Sequence, residues 1–231
     1  MKMVQRIIST SLIGLVAAST VHSQEKVDPP PAKADDITLG FKAYVIEEPR
    51  FKLDDVRNPV GTKPRNPVDL VTEHGLAPVI AVFSRTIPVD ANTPLAAVVK
   101  KLDALASDKE YTARRLGTFL VFLALQNEYR KDPMVDARTR EIAQFVSGVK
   151  PTKTTIALAE ATETPDGTEQ PLVPAQVQAF GIGAEDDIVI VFYYKFTVIK
   201  RWKFKASTPP TEADLTALGD EVAKLLSPKK K

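Results

Sequence analysis

Two uninterrupted apolar runs constrain this chain more than anything else in it: Pro78-Val79-Ile80-Ala81-Val82-Phe83 and Thr118-Phe119-Leu120-Val121-Phe122-Leu123-Ala124-Leu125. A strand with one face in water alternates apolar and polar residues, so β-branched and aromatic runs without alternation read as strands buried on both faces. Each run is followed by a helical pattern. Thr93-Pro94 supplies an N-cap and a proline at the first helical position, and Leu95, Val98, Val99, Leu102 and Leu105 then recur at helical spacing. Val135, Ile142, Phe145 and Val149 mark a second helix. Strand, helix, strand and helix in succession predict a parallel sheet covered on its faces.

The flanks extend this plan. Phe41 to Ile46 reads as a strand, Arg50 to Asn66 as an irregular Pro-rich approach, and Val68 to Val71 as a short strand before a turn at His74-Gly75. Thr154 to Ala159 is a further strand, followed by a loop from Thr162 to Gln170 and a short helical piece near Gln176 to Phe180. Ile188 to Tyr194 and Phe196 to Phe204 are β-rich almost without a break. One strand of that length would be atypical, so the pattern predicts a hairpin turning near Tyr194-Lys195, although the usual Gly or Asn is missing there. Thr211-Glu212-Ala213-Asp214 resembles a capping box, and Leu215, Leu218, Val222, Leu225 and Leu226 line one face of the helix it opens.

The chain has 231 residues and no cysteine. Residues 1–23 read as an export signal: Lys2 and Arg6 form a basic start, Ile7 to Ala18 an apolar core, and Val21-His22-Ser23 a cleavage site. That places the protein in the periplasm or outside the cell, and no later stretch is apolar for long enough to span a bilayer. Removing this segment takes away two basic and no acidic groups, bringing the formal charge of +2 to zero. A neutral chain lacks the broad basic field that nucleic-acid binding needs. Residues 24–38 form a Pro-rich linker, 39–227 one domain with an N-terminal β extension, and 228–231 a basic tail.

The order of elements resembles a secreted bacterial thioredoxin-like domain of the redoxin type across residues 67–226. Pro78 to Phe83 resembles the strand leading into the active-site loop, Gln176 to Ile182 the short helix and turn before the hairpin, and Thr211 to Leu226 the closing helix. The resemblance implies an α/β three-layer sandwich, with a mixed central sheet, a C-terminal β-hairpin and a helix. Both halves of the family's redox site are missing. Ser84-Arg85-Thr86-Ile87-Pro88 stands where Cys-x-x-Cys would follow the core strand, and Asp186-Asp187 where a cis-proline would precede the hairpin. Without a thiol there is no disulfide exchange and no thiol peroxidase chemistry.

The expectation is therefore a non-redox module, without cofactor, that binds an envelope or secreted protein. Its candidate binding loop is Ser84, Arg85, Thr86 and Ile87, at the end of a buried strand where open α/β sheets place ligands. The alternative is an enzyme using the same loop on a small or thiol-bearing ligand. A third reading assigns polyanion binding to Lys200, Arg201, Trp202, Lys203 and Lys205, where bases and aromatics interleave. Against it, period-two alternation would turn Phe196, Val198, Trp202 and Phe204 to the core and leave Arg201, Lys203 and Lys205 in water as guards of a sheet edge. His74, the one histidine after residue 23, reads as a solvated turn residue. One histidine and no cysteine exclude an ordinary zinc site, and Asp35-Asp36, Asp54-Asp55 and Glu185-Asp186-Asp187 lack EF-hand spacing.

Overall fold

The computed structural model describes residues 36–37, 40–47, 67–123, 132–159, 179–183 and 185–227, with only the backbone for 132–136. All of them belong to one compact unit, Ala32–Lys231. Residues 1–23, read above as an export signal, and the basic tail lie outside the described residues, as do most of the linker, the Pro-rich approach, the loop from 162 to 170 and most of the helical piece expected near 176–180.

Seven strands form one sheet. In chain order they are β1 (Lys42–Glu47), β2 (Val68–Asp69), β3 (Val79–Ser84), β4 (Gly117–Phe122), β5 (Thr155–Ala159), β6 (Ile188–Tyr194) and β7 (Thr197–Phe204). Across the sheet they run β2-β1-β5-β4-β3-β6-β7. β3, β4 and β5 are parallel, and the remaining pairings are antiparallel. The three parallel strands are those expected from the sequence, and every residue in them is buried. The fold is α/β, with a mixed central sheet that ends in the β6–β7 hairpin and a closing helix.

The helices among the described residues are α1 (Leu70–His74), α2 (Pro94–Ser107), α3 (Lys109–Ala113), α4 (Asp132–Val149) and α5 (Glu212–Leu226). Because residues alternate faces along a strand, the sheet splits its apolar side chains into two cores. Ile80, Val82, Leu120, Phe122, Ile156, Ile190 and Phe192 point to the face covered by α2, α4 and α5, meeting Leu102, Phe145 and Leu218 among others. Val79, Ala81, Phe83, Phe119, Val121, Val191 and Tyr193 point to the opposite face. There α1 supplies Leu70 and Val71, segments just outside the regular strands supply Ile37 and Phe41, and a turn supplies Phe180. That second layer is held by aromatic contacts: Phe83 lies 4.9 Å from Phe180 and 5.7 Å from Phe41, centroid to centroid.

Several local expectations change. Val68 to Val71 does not continue as a strand, because the Asp69 carboxylate accepts the Val71 and Thr72 amides at 3.0 and 3.2 Å and opens α1 instead. Ile37, placed in the linker by composition, is buried and donates its amide to the Phe196 carbonyl at 2.7 Å. The hairpin turns through Lys195 and Phe196, both left-handed (φ 51° and 62°), which is the backbone of a type I′ turn without its customary Asn-Gly. The Thr211–Asp214 capping box is present as expected.

The pairing register of β7 slips between Phe192–Lys200 and Tyr193–Val198, leaving Ile199 as an extra residue that is 43% exposed. This bulge overturns the expected common core face. Phe196 and Val198 pack on the aromatic layer, whereas Trp202 and Phe204 pack on the helical layer.

Candidate functional site

Ser84 ends β3, and the chain there leaves the sheet at the carboxyl end of the parallel strands. Its side chain is fully buried. The Oγ donates to the Thr86 carbonyl at 2.7 Å and accepts the Thr86 amide at 3.3 Å, a closed local turn. A hydroxyl held this way is a turn clasp, not an exposed nucleophile.

Arg85 is half-buried and reaches across about a hundred residues of chain. Its Nη2 donates to the Gly183 carbonyl and its Nε to the Asp186 carbonyl, both at 2.9 Å. The Arg85 amide donates to the Asp187 carbonyl at 2.9 Å, and the Asp187 amide donates to Phe204 at 2.9 Å. The backbone of Asp187, where a cis-proline would lead into the hairpin, is thus paired on both sides, and no cis peptide bond occurs among the described residues. Asp186 completes the cluster. Its carboxylate accepts the Gly183 amide at 2.7 Å and meets Lys203 Nζ at 3.0 Å. Burial would raise its pKa, but the Gly183 amide, Lys203 and Arg85 outweigh that and hold it below the ordinary aspartate value.

Thr86, Ile87, Pro88 and Val89 form the outer surface of this loop. Ile87 packs partly on the helical core, Thr86 is exposed and Val89 is 80% exposed. The structure therefore separates the four loop residues singled out by the sequence: Ser84 and Arg85 fasten the loop, while Thr86 and Ile87 present it.

The basic strand is also largely engaged. Arg201 is half-buried and donates from Nε to the Phe180 carbonyl at 3.0 Å, and Lys203 pairs with Asp186. Lys200 lies near Glu221 of α5, so the bases do not share one surface. Lys200 and Lys205 are exposed, and Trp202 is half-buried.

His74 corrects the expectation of a solvated turn. It closes α1, is 9% exposed and stacks on Phe119 with ring centroids 5.7 Å apart and planes 18° from parallel. Its imidazole lies flat on Gly117, where a β-carbon would run into the ring. Beside it is a pocket of about 230 Å³ at the amino ends of β3 and β4, lined by Glu73, His74, Thr112, Arg115 and Lys153 over Ala77, Ala106 and Leu116. Sequence reasoning missed this pocket, because its polar residues come from three separated segments without a shared motif. Among the described residues no cluster of three metal-ligating side chains occurs, and no helix is long and apolar enough to cross a membrane.

No family model and no curated protein matches the sequence. Solved structures similar to the chain include a yeast mitochondrial 1-Cys peroxiredoxin (9% identity, 87% of this chain and 83% of that one, TM-score 0.44). A Plasmodium vivax 2-Cys peroxiredoxin (11%, 87% and 90%, 0.43) and a peroxiredoxin-like protein from Aquifex aeolicus (11%, 84% and 90%, 0.40) are similar in the same way. The fold class stands on the strand order and pairing of this chain itself.

Proposed function

We propose that this chain is an exported, non-redox module that docks on an envelope or secreted protein through the Thr86–Val89 loop. One observation carries the reading: the polar groups at the carboxyl end of β3 are spent on fixing the loop. Ser84 Oγ is closed on Thr86, and Arg85 is spread over the carbonyls of Gly183 and Asp186. A fixed loop presenting Val89 suits recognition, where little ordering entropy is lost on binding. It suits catalysis poorly, since the Ser84 hydroxyl is bonded to the Thr86 backbone and, among the described residues, to no acid or base side chain. The absence of cysteine removes thiol chemistry altogether.

The test is affinity capture from envelope extract with the chain lacking residues 1–23, at low and high salt, beside a Val89→Asp variant. A stoichiometric protein retained at high salt and lost with the variant supports the reading. Capture that ignores Val89→Asp, or that salt abolishes, overturns it, as does turnover above buffer in insulin-reduction or peroxide-consumption assays.

A further inference from the structure

The pocket beside His74 lies at the opposite end of the sheet from the loop. Its rim carries a backbone that a simpler sequence would have avoided. After α3 the Leu116 amide donates to the Tyr111 carbonyl at 3.0 Å and the Arg115 amide to Thr112 at 2.9 Å, the paired bonds of a Schellman cap. The residue at the left-handed position of such a cap is ordinarily glycine. Here it is Arg115, at φ 61°. Strain of this kind persists where the side chain is wanted, and Arg115 lines the pocket with Lys153.

We propose that this pocket binds a small organic carboxylate with an apolar body. Arg115 and Lys153 hold the carboxylate, the guanidinium by its two-pronged donor face, and the body rests on Ala77, Ala106, Leu116 and the imidazole of His74. Charge favours an anion, since Arg115 and Lys153 outnumber the one carboxylate, Glu73, among the described lining residues. Size selects a compact body. At about 230 Å³ the space falls below the roughly 300–1,000 Å³ of pockets for drug-sized ligands. A hydrated phosphate would leave the alanine and leucine floor uncovered, so charge alone does not fill the site.

Nuclear magnetic resonance of the full chain labelled at histidine gives the test, because the sequence holds only two histidines and His22 serves as an internal control. The probes are butyrate and phenylacetate, with inorganic phosphate for comparison. Saturable movement of the His74 ring signals at millimolar carboxylate, with His22 unmoved, is the expected result. Arg115→Gly should weaken binding at least tenfold while its melting temperature stays at or above the parent's, since glycine relaxes the cap; Lys153→Ser should weaken binding as well. Unmoved His74 signals, parental affinity in either variant, or an equal response to phosphate overturns the proposal.

Discussion

The Arg85 guanidinium grips the Asp186 main chain, with Nε 2.9 Å from the carbonyl oxygen, and so ties the end of β3 to the segment that enters the hairpin. The second prong, on the Gly183 carbonyl, makes the grip two-pointed. Hydrogen bonds from a charged donor contribute about 1.5–3 kcal/mol each when buried. Arg85 is only half-buried, so Arg85→Ala should cost about 2 kcal/mol in urea unfolding, with the slope unchanged. Arg85→Lys should recover less than half, because an ammonium cannot span both carbonyls. A loss within about 0.5 kcal/mol of zero for Arg85→Ala, the range of ordinary surface changes, would deny the clamp its role.

Asp103 binds the loop that enters β5. It accepts the amides of Thr152, Lys153 and Thr154 together with the Thr152 hydroxyl. Half-burial alone would raise its pKa, but the Thr152 and Thr154 bonds reverse this and lower it below 3.8. A lowered folded-state pKa contributes stability that is fully present above the unfolded value near 3.9 and is lost as pH falls through the folded one. Asp103→Asn should therefore cost about 2 kcal/mol at neutral pH, with the gap to the parent narrowing below pH 4. Parallel curves for the two proteins from pH 7 to pH 2.5 would contradict the assignment.

Phe180 is the centre of the aromatic layer, in contact with Phe41, Phe83 and Tyr193. It is fully buried, and large-to-small changes of this kind cost about 3–5 kcal/mol when the surroundings cannot collapse. Phe180→Ala should fall in that range by chemical denaturation. Phe180→Leu, which keeps most of the volume, should cost less than half as much.

Arg115→Gly should raise stability by about 1 kcal/mol, because a left-handed conformation is uphill by roughly 1–2 kcal/mol for a residue bearing a β-carbon. Glycine's extra unfolded-state entropy returns part of that gain. Arg115→Ala, which keeps the β-carbon, should show no gain. That contrast separates backbone relief from loss of charge.

The elements that were legible in the sequence are those whose signal is local. β3 and β4 announce themselves by unbroken apolar runs, α2 by Thr93-Pro94, whose hydroxyl accepts the Ala96 amide at 3.3 Å, and α5 by its capping box. The misses share a different cause. α1 and α3 are five residues each, too short for an apolar face to repeat, and α1 exists because one carboxylate at Asp69 caps it. Burial of His74 depends on Gly117 and Phe119, more than forty positions away in sequence, and the partners of Arg85 lie about a hundred positions away. The bulge at Ile199 is equally silent, because a single register slip changes which face each later residue takes without changing the composition of the run.

The flat seating of His74 on Gly117 also makes these two positions partners in sequence drift. While a ring occupies position 74, any side chain at 117 collides with it, so substitutions at 117 are closed to the chain. Once position 74 shortens to alanine or serine, 117 opens to other residues, and a return of histidine at 74 becomes the forbidden step. Pairwise mutational scanning of 74 against 117 should show this as sign epistasis: alanine at 117 harmful beside histidine, and tolerated or beneficial beside alanine.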